Sequence, residues 1–114
     1  MTTPTQTDSF TTDLHNHIQY REAGVFSKVL HKDICCQYTL FCLSTGTDLT
    51  EHASTRNATI HVIEGRGTLT LKGQSITLAP GVLVFMPANA PHALRAAENL
   101  AFLLTLSESP QHTP

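Results

Sequence analysis

From Val25 onward the chain is a succession of short apolar runs rich in β-branched and aromatic residues, each closed by Gly, Pro, Asn or Asp. That punctuation belongs to strands joined by tight turns. Strands are expected near Val25–Leu30, Gln37–Leu43, Leu49–His52, Ala58–Glu64, Gly67–Lys72, Ser75–Leu78, Val82–Met86, His92–Arg95 and Leu100–Leu106. Eight or nine short strands of this kind form an all-β sandwich or barrel. Two turns are well marked: Gly65 and Gly67 flank Arg66, and Lys72, Gly73 and Gln74 separate two alternating strands as a hairpin does.

Alternation tells which strands meet water. In Thr68–Leu71 the threonines alternate with leucines, the pattern of a strand wet on one side. The runs Val82–Met86 and Leu100–Leu106 do not alternate, so both faces are expected to be buried. In one small barrel the outer face of such a strand needs a cover. A second copy of the chain is the simplest cover, giving a homodimer, and the N-terminal segment folded across the same face is the alternative.

At 114 residues the chain has room for one domain, expected over residues 10–106. Residues 1–9 are rich in Thr, Pro and Gln and read as a disordered leader, and residues 107–114 as a flexible tail. Between Phe10 and Tyr20, the spacing of Phe10, Leu14 and Ile18 predicts a short amphipathic helix starting near Ser9 or Thr11.

Composition removes several functions. The formal net charge is −2, and no Lys or Arg cluster exists that could track a phosphate backbone, which argues against nucleic acid as a partner. The longest apolar runs fall far short of the roughly 20 residues that span a bilayer as a helix. The N-terminus has neither a basic nor an apolar region of a secretion signal, so a cytoplasmic location is expected. Cys35, Cys36 and Cys42 form an odd set, and adjacent cysteines bridge only with strain, so small buried thiols in a reducing compartment are expected.

Seven histidines invite a metal hypothesis. His15 and His17 lie in a polar stretch, His31 sits beside Lys32 and Asp33, and His112 is in the tail, all positions that suit surface residues. His52, His61 and His92 differ, because they fall within or at the ends of expected strands.

Around these residues the sequence resembles the cupin superfamily from about Val25 to Leu106. Gly46 followed by Thr47–Glu51 and His52 matches the start of the family's first motif, whose strand and turn are matched by Ile60–Gly67. Where metal-binding cupins place a second His and a Glu, this chain has Ser54 and Ala58. Gly65 keeps the closing turn. The second motif runs from Gly81 through Pro87 to His92, with Asn89 where Gly is usual, and Asn tolerates the left-handed backbone such a turn demands. The chain looks most like the short bacterial, RmlC-like cupins with a degenerate first motif.

The resemblance implies a double-stranded β-helix, or jelly-roll barrel, in which His52 and His92 converge on one interior point. A divalent transition metal (Zn, Fe, Mn, Ni or Cu) held by both is implied, although mononuclear sites usually take three protein ligands. Ser54 and Glu64 are the candidate third groups. Strand parity from Ala58 puts Ile60, Val62 and Glu64 inward and His61 outward, unless a bulge shifts the register. Ser54, Ala58, Ile60, Glu64, Leu94 and Phe102 are the expected pocket residues, with Val62 and Leu104 as further walls. Arg56, Asn57 and Gln74 are polar groups near the expected mouth, and Arg56 has the planar fork that receives a carboxylate. A metal-free His52–His92 pair would instead bind a small organic ligand or split into an acid and a base. A metal-dependent oxygenase or isomerase, a ligand-sensing module and a structural protein are the classes left open.

Overall fold

All nine expected strands are present, with their ends displaced by a residue or two. They are β1 (Val25–Lys32), β2 (Cys36–Leu43), β3 (Asp48–His52), β4 (Asn57–Glu64), β5 (Gly67–Leu71), β6 (Gln74–Leu78), β7 (Leu83–Met86), β8 (His92–Ala96) and β9 (Leu100–Ser107). The structure is a computed structural model that describes residues 9–108. The expected leader and tail lie outside the described residues except for Ser9, Ser107 and Glu108, and Ser107 closes β9.

The strands form two antiparallel sheets packed face to face in the manner of a jelly roll. One has the order β1-β2-β9-β4-β7 and the other β3-β8-β5-β6. Between them lies the core: Leu43, Ile60, Val62, Leu69, Leu78, Met86, Leu94, Leu100 and Phe102, all buried. Alternation delivers these residues, since Ala58, Ile60 and Val62 of β4 share the inner face while Thr59 and His61 point out. Phe41 and Phe102, partners across β2 and β9, stack with ring centroids 5.4 Å apart. A fully buried Leu or Phe of this kind stabilises the sandwich by about 1.5–3 kcal/mol.

The turns follow from their residues. Lys72 and Gly73 both have positive φ, 51° and 80°, the two-residue loop whose twist suits a hairpin between β5 and β6. Gly65 turns at φ 90° directly against the Asn99 backbone, with no room for a Cβ.

Three expectations are corrected. The Phe10–Tyr20 segment is not an amphipathic helix. It holds one 3-10 turn, Leu14–His17, capped by Asp13 rather than Ser9 or Thr11, whose carboxylate accepts the His15 N–H. The segment instead lies along the outer face of the five-stranded sheet, where Ile18 and Tyr20 pack over Leu40, Cys42 and Ala101. Among the candidate covers for that face, the N-terminal segment therefore takes one end of it. The Val82–Met86 run is not buried on both faces: Val84 and Met86 point inward, but Leu83 and Phe85 are 66% and 58% exposed. Of the cysteines only Cys42 is buried, because Cys35 and Cys36 sit at the β1–β2 turn, where Asp33 Oδ1 accepts both their N–H groups. Among the described residues no helix is long and apolar enough to cross a membrane.

Candidate functional site

His92 opens β8 immediately after a loop fixed by several hydrogen bonds. Asn89 adopts φ 69°, the left-handed turn its place in the second motif required. Its N–H donates to the Ser54 carbonyl, the Ala88 N–H to Asn57 Oδ1 at 2.9 Å, and the Ala90 N–H to the Pro87 carbonyl. Asn57 is thus an anchor for this loop rather than a ligand-binding group. The imidazole that the loop delivers is buried, at 9% exposure.

His52 reaches the same point by an irregularity. It lies three positions after Leu49, so regular alternation would put the two on opposite faces. Their partners on β8, His92 and Leu94, are only two apart, and a bulge in β3 takes up the difference. Leu49 and His52 consequently line the same cavity. Bulges re-aim side chains in this way near functional sites.

The two imidazoles face each other across the β3–β8 pair with ring centroids 4.3 Å apart and planes at 61°. His52 Nδ1 lies 2.8 Å from the Thr50 carbonyl and His92 Nδ1 lies 3.0 Å from the Ala90 carbonyl. A carbonyl only accepts, so each Nδ1 carries the hydrogen and donates it. In the neutral rings both Nε2 atoms are left as bare lone pairs, the tautomer that binds metals and accepts protons.

Around the pair is a cavity of about 80 Å³ lined by Phe41, Leu49, Ile60, Met86, Leu94, Phe102 and Leu104. At about 30 Å³ per water it holds two or three waters or a small group, well below the roughly 300 Å³ of a drug-sized site. Ile60, Leu94, Phe102 and Leu104 line this cavity. Phe41, Met86 and Leu49 were not among the expected pocket residues: Val82–Met86 does not alternate in sequence, and the place of Leu49 beside His52 depends on the bulge. Val62 is core and does not line the cavity.

The other expected pocket residues are elsewhere. Ser54 turns its hydroxyl to the Arg56 N–H at 3.0 Å. Ala58 is on the inner face but packed in the core, between Met86 and Leu106 on the adjoining strands. Glu64 points out, because a second bulge between Val62 and Glu64 reverses the parity of β4. Its Oε2 accepts the Tyr20 hydroxyl at 2.7 Å, and burial together with that carboxylate pushes the Tyr20 phenol upward from its ordinary range. His61 lies on the exposed outer face. Gln74 is exposed at the hairpin, and Arg56 is half-buried after the Ser54 turn.

A divalent metal therefore finds half a ligand set. The two Nε2 lone pairs fit it, but no group of three or more His, Cys, Asp or Glu side chains gathers as a metal site among the described residues. The other histidines do not join. His17 Nδ1 lies 3.1 Å from Lys28 Nζ, His15 lies beside Asp13, and His31 stacks on Phe10. His112 is outside the described residues.

The sequence profile of the Cupin domain matches residues 39–106, more than half of the chain, and the protein belongs to the cupin family. Among solved structures it is similar to a conserved protein of unknown function from Streptococcus pyogenes, with 26% identity, a TM-score of 0.79 and 92% and 91% of the two chains covered. A cupin superfamily protein from Desulfitobacterium hafniense is 22% identical with a TM-score of 0.80, covering 90% of this chain and 94% of that one. A Cupin 2 conserved barrel domain protein from Leptotrichia buccalis is 28% identical with a TM-score of 0.77, covering 85% of this chain and 47% of that one. No curated protein matches. The fold is common ground among these proteins, and it does not select a reaction.

Proposed function

We propose that this cupin uses its inter-sheet cavity to bind a divalent transition metal weakly through Nε2 of His52 and His92, with water or a small organic ligand completing the coordination. The observation that carries the reading is the pairing of the rings: their centroids lie 4.3 Å apart and each Nδ1 sits against a carbonyl, which leaves both Nε2 atoms free as lone pairs at an otherwise apolar cavity wall. Two imidazoles without a carboxylate make an incomplete ligand set, which keeps affinity low and leaves coordination positions open. A bound metal would supply Lewis-acid polarisation of a ligand oxygen. Oxygenase or isomerase chemistry on a small, largely apolar molecule is the enzymatic form of this reading.

A second reading, a non-catalytic sensor that holds a small molecule at a vestigial metal site, is favoured by the cavity wall. Apart from the imidazoles it offers no acid or base, since Glu64 faces away. The three free thiols suit a reducing compartment, and we place the protein in the cytoplasm.

Calorimetric titration of metal-free protein with Ni²⁺ and Zn²⁺ tests the proposal. One weak equivalent is expected, lost in His52→Ala and in His92→Ala and kept in His15→Ala/His17→Ala. Binding that survives the cavity variants, or none in large excess of metal, overturns the metal reading. If nitrogen NMR then still shows both Nε2 atoms unprotonated, the sensor reading stands.

A further inference from the structure

We propose that the thioether of Met86 completes the His52–His92 site and makes it selective for monovalent copper. This inference rests on the metal reading above and names the ion that the site prefers. Met86 lines the same cavity as the two imidazoles and is 2% exposed. Apart from the imidazoles, every other wall residue ends in hydrocarbon or an aromatic ring. Among the described residues, the Met86 sulfur is therefore the one further lone-pair donor at this wall. The cavity is only about 80 Å³, so an ion held at the imidazoles has the Met86 side chain as a neighbour.

Three strand ends bring these donors to one end of the sandwich. His52 closes β3, Met86 closes β7 and His92 opens β8. Met86 points inward because it alternates with the exposed Phe85 and pairs with Ala58 on β4. Between Met86 and His92 runs the loop Pro87–Pro91, which donates its Ala88 N–H to Asn57 and its Asn89 N–H to the carbonyl of Ser54, just beyond His52. One pinned loop thus ties all three donors together. The rotatable bonds of methionine let its sulfur adjust to an ion without moving the backbone.

The donor set selects the ion. Two neutral imidazoles and a thioether bring no negative charge, and Glu64 faces out of the sandwich. A divalent ion would keep its full double charge in an apolar surround. The Born cost of that burial rises with the square of the charge, so a monovalent ion of similar size costs about a quarter as much. Copper is the imidazole-binding transition metal with a stable monovalent state, and thioether sulfur favours that state. Cu⁺ is also stable at low coordination numbers, whereas Zn²⁺ in protein sites takes a tetrahedral set. The same features account for weak binding of divalent ions.

The accessible thiols would compete for Cu⁺, so the test uses the full-length Cys35→Ser/Cys36→Ser chain; Cys42 is buried on the outer side of the sheet, under Ile18 and Tyr20. Anaerobic titration with Cu⁺ against the chromophoric chelator bicinchoninate should show one equivalent, held about tenfold or more tightly than Zn²⁺ or Ni²⁺. Met86→Leu, a volume-conserving exchange, should weaken Cu⁺ by about tenfold or more and leave Zn²⁺ and Ni²⁺ unchanged. Metal binding, Cu⁺ included, that survives His52→Ala and His92→Ala sinks the metal reading and this one with it. A Cu⁺ affinity indifferent to Met86→Leu, or no tighter than that for Zn²⁺, sinks this one alone. Should Met86→Leu not fold, methyl NMR of the unsubstituted Met86 decides. Cu⁺ is diamagnetic, so the Met86 methyl signal must shift on loading, and an unmoved signal refutes the thioether ligand.

Discussion

The Tyr20 hydroxyl donates to Glu64 Oε2 at 2.7 Å and so ties the N-terminal segment to the strand that also walls the cavity. The bond exists because a bulge turns Glu64 out of the sandwich at the place where Tyr20 crosses the sheet. Tyr20→Phe removes a hydrogen bond to a charged, half-buried acceptor and should cost about 1–2 kcal/mol, measured by urea unfolding.

Both tyrosines of the chain, Tyr20 and Tyr38, are held upward from the ordinary phenol range, Tyr20 by burial and Glu64, Tyr38 first by the neighbouring Cys36. A raised folded value means that the folded state keeps its proton where the unfolded chain loses it. The associated stability is present below about pH 10 and is lost as pH rises further. Phenolate absorbance of the folded protein should therefore lag behind that of the urea-unfolded chain above pH 10. Coincident titration curves would contradict this.

Gly65 and Gly73 separate strain from collision. Both have positive φ, and replacing either by Ala costs about 1–2 kcal/mol for the backbone. A Cβ at Gly73 meets open space, whereas at Gly65 it runs into the Asn99 carbonyl and the Leu100 backbone. Gly65→Ala should lose about 3 kcal/mol or more and Gly73→Ala about 1, read from denaturation midpoints.

Thiol labelling should resolve the cysteines by position. Cys35 is exposed and Cys36 partly so, whereas Cys42 is buried beneath Ile18 and Tyr20, and burial pushes its thiol up. The thiolate is the reactive form. An aromatic disulfide reagent should consume Cys35 and then Cys36, and reach Cys42 only on unfolding. Three equal rates would show that the N-terminal segment does not seal this part of the sheet.

Restoring the missing family residues should restore affinity. Ser54→His/Ala58→Glu adds an imidazole and a carboxylate at the two positions where the metal-binding pattern has them. Metal binding should tighten by a factor of ten or more, about 1.4 kcal/mol, in the same calorimetric titration. An unchanged constant would mean that these positions do not reach the His52–His92 pair.

Much of this architecture was legible in the sequence because β-strand punctuation and alternation are local signals. Ala58, Ile60 and Val62 alternate inward, and Asn89 takes the left-handed turn its motif position demanded. The bulges were not legible: Thr50, Glu51 and Ile63 carry no mark that one strand holds an extra residue. Each bulge inverts the parity of the residues beyond it, which brings His52 in and sends Glu64 out. The helix expected at Phe10, Leu14 and Ile18 failed for a related reason. A spacing of four fits a helix, but the sheet face offers these side chains a cover to make instead, and only one 3-10 turn forms.

β3 is an edge strand that pairs only with β8, and most of its residues face solvent. One histidine of the site thus rides on the rim of the sandwich while the other is embedded in it. Strands with so few buried contacts detach at a fraction of the cost of unfolding the whole. Detachment of β3 would take Leu49 and His52 out of the cavity wall together and leave His92 in place. The least anchored wall of the cavity and one of its two imidazoles are the same piece of chain.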